Sequence, residues 1–224
     1  TWGSVSPIAD SSQLRLWSQD NFGDDLIANI RGGGIYYWDE SSGATQRAIP
    51  FTSLTNASAP PTAALQIMVS DIDRHIICFG ANAIGESTVD PLFVRWSDQE
   101  SSIDWTPTST NTAGGTRLSS GSTIIGALKT RQEILIWTDA GVHSMQYSGA
   151  PFIFSFAEIM QGPSMISPKA AINADNKVFF MDRGSFYVYT GSVQTLPCAV
   201  QDYIFSDINL GQAFKVYGLS NVDQ

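Results

Sequence analysis

The 224-residue chain is 43% hydrophobic and only 15% charged, with 12 Lys and Arg against 21 Asp and Glu for a formal net charge of −9. That is enough apolar material for one large β domain or two small ones, and the charge balance speaks against a protein that grips nucleic acid, which needs basic side chains facing phosphates. No run reaches the length of a membrane helix, and Cys78 and Cys198 belong to no metal or redox motif, so both read as buried free thiols.

Helical periodicity is nearly absent; short β-branched and aromatic runs punctuated by Gly and Asp recur instead. A strand at 26–30 meets the turn Arg31, Gly32, Gly33, Gly34 and returns through Tyr36, Tyr37 and Trp38. A candidate strand at 63–69 precedes a hairpin whose arms lie at 74–80 and 92–96, separated by an insertion at 81–91. A strand at 123–128 leads into the clearest unit, residues 133–149, where Ile134, Leu135, Ile136 and Trp137 run into a tight Asp139, Ala140, Gly141 turn. Gly141 is expected to supply a positive φ there. After a short strand at 169–172 the same wording returns at 177–191, with Asp139 matching Asp182 and Gly141 matching Gly184 at an offset of 43, and Tyr147 matching Tyr189 at 42. One residue is therefore expected to be missing between the arms of the second hairpin.

The strand pairs begin near residues 26, 74, 133 and 177, in steps of 48, 59 and 44. Three or four strands per unit at such a period predict an all-β chain, a β-propeller of antiparallel meander blades. A β-sandwich is the structural rival. The aromatics Phe152, Phe154, Phe156, Phe179, Phe180 and Phe186 fall in strand candidates and read as wedges between units. Residues 213–224 repeat the approach to the hairpin at 177 and read as the opening strand of a fifth blade. The expectation is one propeller domain over 1–224, about four blades and the start of another, with an incomplete ring and a natural chain that continues past residue 224.

Chemistry-bearing motifs are sparse. His75 and His143 are expected inside strands, each satisfied and neither oriented by a carboxylate. The Arg31 to Gly34 turn lacks the context of a phosphate loop and reads as a flexible hairpin turn rather than an anion nest. Ser97, Asp98 and Trp105 faintly resemble the Asp-box of sialidase propellers, itself a structural device. Asp71, Asp73, Asp90, Asp98, Asp104, Asp139 and Asp182 all fall in or beside predicted turns, where Asp bonds local backbone N–H groups. Asn56, Ala57 and Ser58 match the glycosylation acceptor pattern, which short sequences meet by chance. No catalytic, cofactor-binding or metal-ligating residue is assigned, and the chain is not expected to be an enzyme.

Several stretches carry a resemblance in wording: Leu16 to Leu26 leading into Arg31 to Trp38; Val94 to Glu100 with Asp104, Trp105, Thr106 and Pro107; Leu135 to Asp139 with Val142 to Met145; and Phe186 to Tyr189 with Leu196, Pro197 and Cys198. Together, over roughly residues 14 to 210, the chain resembles tailed-bacteriophage virion proteins related to the packaged-DNA stabilisation and tail-nozzle proteins of short-tailed phages. The resemblance implies a structural protein of the virion tail or neck, assembled in the host cytoplasm as a homo-oligomeric ring (a hexamer). Its neighbours would be tail adaptor or portal and fibre proteins, and duplex DNA would pass without tight binding until ejection, with no membrane or cofactor involved. A net-negative wall suits such sliding, because firm phosphate contacts would have to break at every step. The alternatives are a propeller carbohydrate-active enzyme, which needs convergent carboxylates, and a fibre-adaptor or receptor-binding module of the tail.

Overall fold

The computed structural model describes residues 14–221. These residues form four separate four-stranded antiparallel sheets, each a meander in chain order. The first sheet holds β1 (Trp17–Phe22), β2 (Asp25–Ile30), β3 (Ile35–Trp38) and β4 (Ile49–Pro50). The second holds β5 (Ala64–Val69), β6 (Ile76–Ala81), β7 (Phe93–Trp96) and β8 (Gly114–Arg117). The third holds β9 (Ile124–Lys129), β10 (Ile134–Thr138), β11 (Gly141–Tyr147) and β12 (Phe154–Gln161), and the fourth β13 (Ala171–Ala174), β14 (Lys177–Met181), β15 (Phe186–Tyr189) and β16 (Val193–Leu196). Four sheets rather than two set aside the sandwich. A single short α-helix, α1 (Gln201–Asp207), follows among the described residues.

The continuous apolar runs are strands buried on both faces, a period-2 pattern written in two hydrophobic alphabets at once. In β10, Ile134 and Ile136 enter a core cluster with Met68, Ile77, Phe79 and Trp96 of the second sheet. Leu135 and Trp137, pointing the other way, pack with Val178 and Phe180 of the fourth. In β6, Ile77 and Phe79 join the first of these clusters while Ile76 and Cys78 pack with Ile27 and Ile35 of the first sheet. Each inner sheet is thus packed on both faces. The first and fourth sheets bury one face against a neighbouring sheet. On the other face of the fourth, Phe205 of α1 lies 5.4 Å from Phe186, and the chain at Gly218 closes on Ile172.

The repeated hairpins β10–β11 and β14–β15 are the central pairs of consecutive sheets, as their shared wording suggests, but their equivalence differs in detail. Ile134 pairs with Met145 and Val178 with Tyr189, so both arms are displaced by the same 44 residues. The two hairpins have equal loops, and no residue is missing. Asp139 and Asp182 consequently sit at different places in their turns, and Tyr189 matches Met145 rather than Tyr147. Gly141 also serves another purpose than the one expected: it is not among the positive-φ residues. A Cβ there would lie 2.4 Å from the Met160 carbonyl oxygen, so the glycine lets β12 approach.

Other expectations need correction. Residues 213–221 do not form a strand. Leu210–Lys215 is a 3-10 helix started by Asn209, whose side chain accepts from the Gly211 N–H. Only an isolated parallel bridge joins Lys169 to Tyr217; residues 222–224 lie outside the described part. The turn Arg31 to Gly34 is pinned rather than flexible. The Gly32 N–H donates to the Ala64 carbonyl at 2.8 Å, and the buried Asn29 amide donates to the carbonyls of Gly33 and Ala64 at 3.0 and 3.2 Å. The insertion 81–91 extends the β6–β7 hairpin through a bridge between Asn82 and Val89. Cys78 is buried, but Cys198 is only half-buried.

Replacing Leu135 or Ile136 by Ala should each lower the unfolding free energy by about 2–5 kcal/mol, with F179A costing less than either, since Phe179 is only half-buried. G141A should cost about 1–3 kcal/mol through its clash with β12. G184A should change little, because a Cβ there meets nothing within 4 Å. Urea unfolding of the five variants checks both contrasts.

Candidate functional site

The opening strands of successive sheets lie side by side, β1 on β5, β5 on β9 and β9 on β13. They surround an axial cleft of about 540 Å3, lined by β1, β5, β9 and the segment that leads into β13. Each of these strands is the edge of its sheet, so the backbone groups facing the cleft lack ladder partners and must find others. Side chains from the neighbouring sheet supply them. On β1, alternate residues reach β5: Ser18 Oγ accepts from the Ile67 N–H at 3.0 Å, and Asp20 Oδ2 accepts from the Val69 N–H at 2.9 Å. From β5, the Gln66 amide donates to the Ala127 carbonyl at 2.7 Å and accepts from the Ala127 N–H at 2.8 Å, a side-chain copy of a peptide pair.

Three cations, Arg31, Lys129 and Lys169, complete the lining. Lys129 Nζ lies 2.9 Å from both Asp20 and Asp71 and 3.1 Å from the Val69 carbonyl. Burial alone would lower its pKa, but the two carboxylates outweigh burial and raise it. Arg31 donates to the carbonyls of Leu65 and Ile124, at 3.3 and 3.2 Å, with its guanidinium carbon 5.6 Å from the Phe214 ring centroid. Burial pushes its pKa down to about 10.

The two histidines stand in separate polar networks, and each has the carboxylate the sequence reading did not find. His75 precedes β6 instead of lying within it. It is fully buried, with Nδ1 2.7 Å from Asp73 Oδ2 and Nε2 3.0 Å from Thr112 Oγ1. Thr112 in turn donates to Asp98 at 2.6 Å, and Phe154 of the third sheet meets the imidazole edge-on at 5.3 Å. Burial would raise the Asp73 pKa, but the neighbouring His75 ring and the Ser70 hydroxyl hold it below the usual value of 3.8. The local signal was the spacing Asp73, Arg74, His75, with Arg74 at φ +50° folding the two side chains together. His143 does lie in a strand, β11, where Ser120 Oγ is 3.0 Å from its Nε2 and donates to Glu158 at 2.6 Å. Burial lowers its pKa, and Glu158 offsets this only in part.

Most of the remaining aspartates accept from backbone N–H groups, local ones at Asp90 and Asp182 as expected, but groups 16 and 17 residues away at Asp139. Asp139 accepts from the N–H groups of Ser122 and Thr123 at 2.6 and 3.2 Å, Asp182 from that of Arg183 at 2.7 Å, and Asp90 from that of Leu92 at 3.0 Å. Asp98 accepts from the N–H groups of Gln99 and Thr112 at 2.9 and 2.7 Å, and its own N–H donates to the Asp104 carbonyl at 2.7 Å. That bond closes the loop that carries the fully buried Trp105. Ser58 of the glycosylation-like triplet accepts from the Trp105 N–H at 3.0 Å. Asp71 and Asp73 face Lys129 and His75 instead, Asp90 adds an ion pair with Arg117 at 2.7 Å, and the Asp104 carboxylate accepts from the Ser101 hydroxyl at 2.9 Å. In both networks the hydroxyl donates to a carboxylate and lies beside an imidazole nitrogen, an arrangement that holds loops together. Among the described residues no group of three or more His, Cys, Asp or Glu side chains is placed to hold a metal.

No family model matches the sequence, and no curated protein matches it. Among solved structures, the extracellular domain of a hybrid two-component system from B. thetaiotaomicron is similar over 81% of this chain, at 16% identity and a TM-score of 0.51. The chain spans 22% of the length of that protein, and the likeness is one of fold. Hsv2 of Kluyvelomyces marxianus (6% identity, TM-score 0.42, 80% of this chain and 49% of that one) and a fungal alcohol oxidase in complex with copper (11%, 0.40, 81% and 53%) are weaker likenesses.

Because the Asp73 carboxyl titrates below its ordinary value, the stability it contributes is present above about pH 4 and is lost as pH falls through the depressed folded value. D73N should cost about 1–3 kcal/mol at pH 7, since it removes the carboxylate that faces the Ser70 hydroxyl and the buried His75 ring. The gap between wild type and variant should close as urea unfolding is repeated from pH 5 down to pH 2.

Proposed function

We propose that the chain is a β-propeller module of a structural protein in the tail or neck of a tailed phage, forming part of the wall of a DNA channel. Four consecutive meanders whose first strands share one cleft support the propeller reading. The observation that carries the functional reading is the use of the axial polar side chains: Ser18, Asp20 and Gln66 are engaged in sheet-to-sheet bonds, which builds a scaffold and presents no acid–base couple to a substrate. The sequence phrases that resemble those of nozzle and DNA-stabilisation proteins suggest the virion setting.

In this reading DNA runs through a ring of subunits and not along the axis of the four sheets. A cleft of about 540 Å3 cannot admit a duplex whose major groove alone is about 12 Å wide. The acidic excess, 21 against 12, keeps such a channel wall from forming the counterion-releasing contacts that would arrest the genome. A second reading, a fibre-adaptor or receptor-binding module, is favoured by two exposed aromatics, Phe152 at 77% on the β11–β12 loop and Tyr203 at 76% on α1.

The full-length protein, assembled on its neighbouring tail components, should bind short duplex DNA weakly and with a shallow salt dependence in a fluorescence titration. Tight binding with a steep slope would defeat the channel-wall reading. Electron microscopy of particles carrying a labelled copy should place the label on the tail axis; a peripheral position would establish the adaptor instead.

A further inference from the structure

The chain segregates its charge. Four of its 12 basic residues, Arg15, Arg31, Lys129 and Lys169, line the axial cleft or the adjoining cleft that shares Leu16, Arg31 and Leu65 with it. Among the described residues, Asp20 is the only acidic one that does so. Asp20 is already spent, since it accepts from the Val69 N–H and pairs with Lys129, and Lys129 is balanced a second time by Asp71 at the rim. Among the described residues no carboxylate lies within ion-pair distance of Arg15, Arg31 or Lys169.

An unpaired cation on an open surface would mean little, but Arg31 is not on one. Its guanidinium is tied to carbonyls of the second and third sheets and covered on one side by Phe214. Two of the roughly five guanidinium donors are occupied by those carbonyls, which leaves N–H groups and a full positive charge without an acceptor of opposite sign. Such a charge is costly in a partly desolvated site unless an anion joins it. Burial has pushed its pKa down to about 10, in the direction a bound anion would reverse. The cleft has the size of a small-molecule site, 300–1,000 Å3 in general, and Trp17, 47% exposed, offers an apolar plane in the same lining.

We propose that the axial cleft binds a small oxyanion-bearing molecule, a phosphate ester or a polycarboxylate, with the anionic group held by Arg31 and Lys169 and the remainder of the ligand against Trp17. The planar guanidinium suits the geometry shared by phosphate and carboxylate oxygens. Lys169, exposed just before β13, closes the site from the fourth sheet. Occupation would therefore draw together strands from all four sheets. The inference stands apart from the channel-wall reading, because the site lies inside one copy of the chain.

Isothermal titration of the purified protein with inorganic phosphate, phenyl phosphate, pyrophosphate and citrate tests it. Saturable binding of one equivalent is expected, tighter for either the phosphate or the citrate arm, and that preference names the ligand class. K169M should weaken binding by about tenfold or more and fold normally, because its exposed ammonium has no partner to lose. R31M should abolish binding, but it also severs bonds to Leu65 and Ile124, so R31K, which keeps the charge without the fork, accompanies it and should weaken binding in a folded protein. R47M, outside both clefts, should leave affinity unchanged, and W17A should remove any advantage of phenyl phosphate over inorganic phosphate. Absence of saturable binding at millimolar anion, equal affinity in K169M and R47M, or displacement by short duplex DNA at matched phosphate concentration would each overturn the proposal.

Discussion

Four sheets that converge by their edges create one problem, and much of this structure is its solution. An edge strand carries N–H and C=O groups that water satisfies easily and a protein interior does not. Here β1, β5 and β9 turn their edges toward a shared cleft, and no ladder joins one opening strand to the next. Side chains stand in for the missing strand: a serine hydroxyl, a carboxylate and a primary amide, each placed opposite a backbone group of the next sheet. Lys129 then ties an aspartate of the first sheet to a carbonyl of the second. The packing of aromatic and branched side chains behind these strands holds the sheets at the spacing that these bonds require.

That division of labour explains what the sequence discloses. The strands are legible because burial on both faces writes itself as uninterrupted apolar runs, as in Ile134, Leu135, Ile136 and Trp137, and because hairpin turns gather Asp and Gly. Repetition of one hairpin announced that successive sheets are equivalent, yet matching Asp with Asp and Gly with Gly misplaced the register by a residue. The eye aligns identities, whereas the ladder aligns pairs, and Gly141 answers to a crossing strand more than to its own turn. The tail misled for a related reason. Ala213, Phe214 and Val216 copy the composition of a strand approach, but Asn209 starts a 3-10 turn that composition does not record.

The polar interior was much less legible. Lys129 meets Asp20 across 109 residues of chain, and Arg31 meets the Ile124 carbonyl across 93; no local pattern encodes such encounters. Asp73 and His75 were close enough to be read together, but in extended backbone residues two apart share a face without facing one another. Only the left-handed turn at Arg74 brings the carboxylate onto the ring. From the sequence, Arg31 to Gly34 reads as a flexible hairpin turn. Docked on Ala64, it becomes the place where the first sheet hands a guanidinium to the second and third.

The three core clusters lie between successive sheets, first to second, second to third and third to fourth. Energetically this makes the chain a short one-dimensional array, in which an inner sheet is held by two interfaces and a terminal sheet by one. Cooperativity in such an array is graded: opening the fourth sheet sacrifices one cluster, whereas opening the second dissolves two and leaves its neighbours without a template. Amide protection should then fall off from the middle of the array toward both ends. Whatever packs against the half-covered outer faces of the first and fourth sheets gains the role of a capping unit, and the array becomes as firm at its ends as it is at its centre.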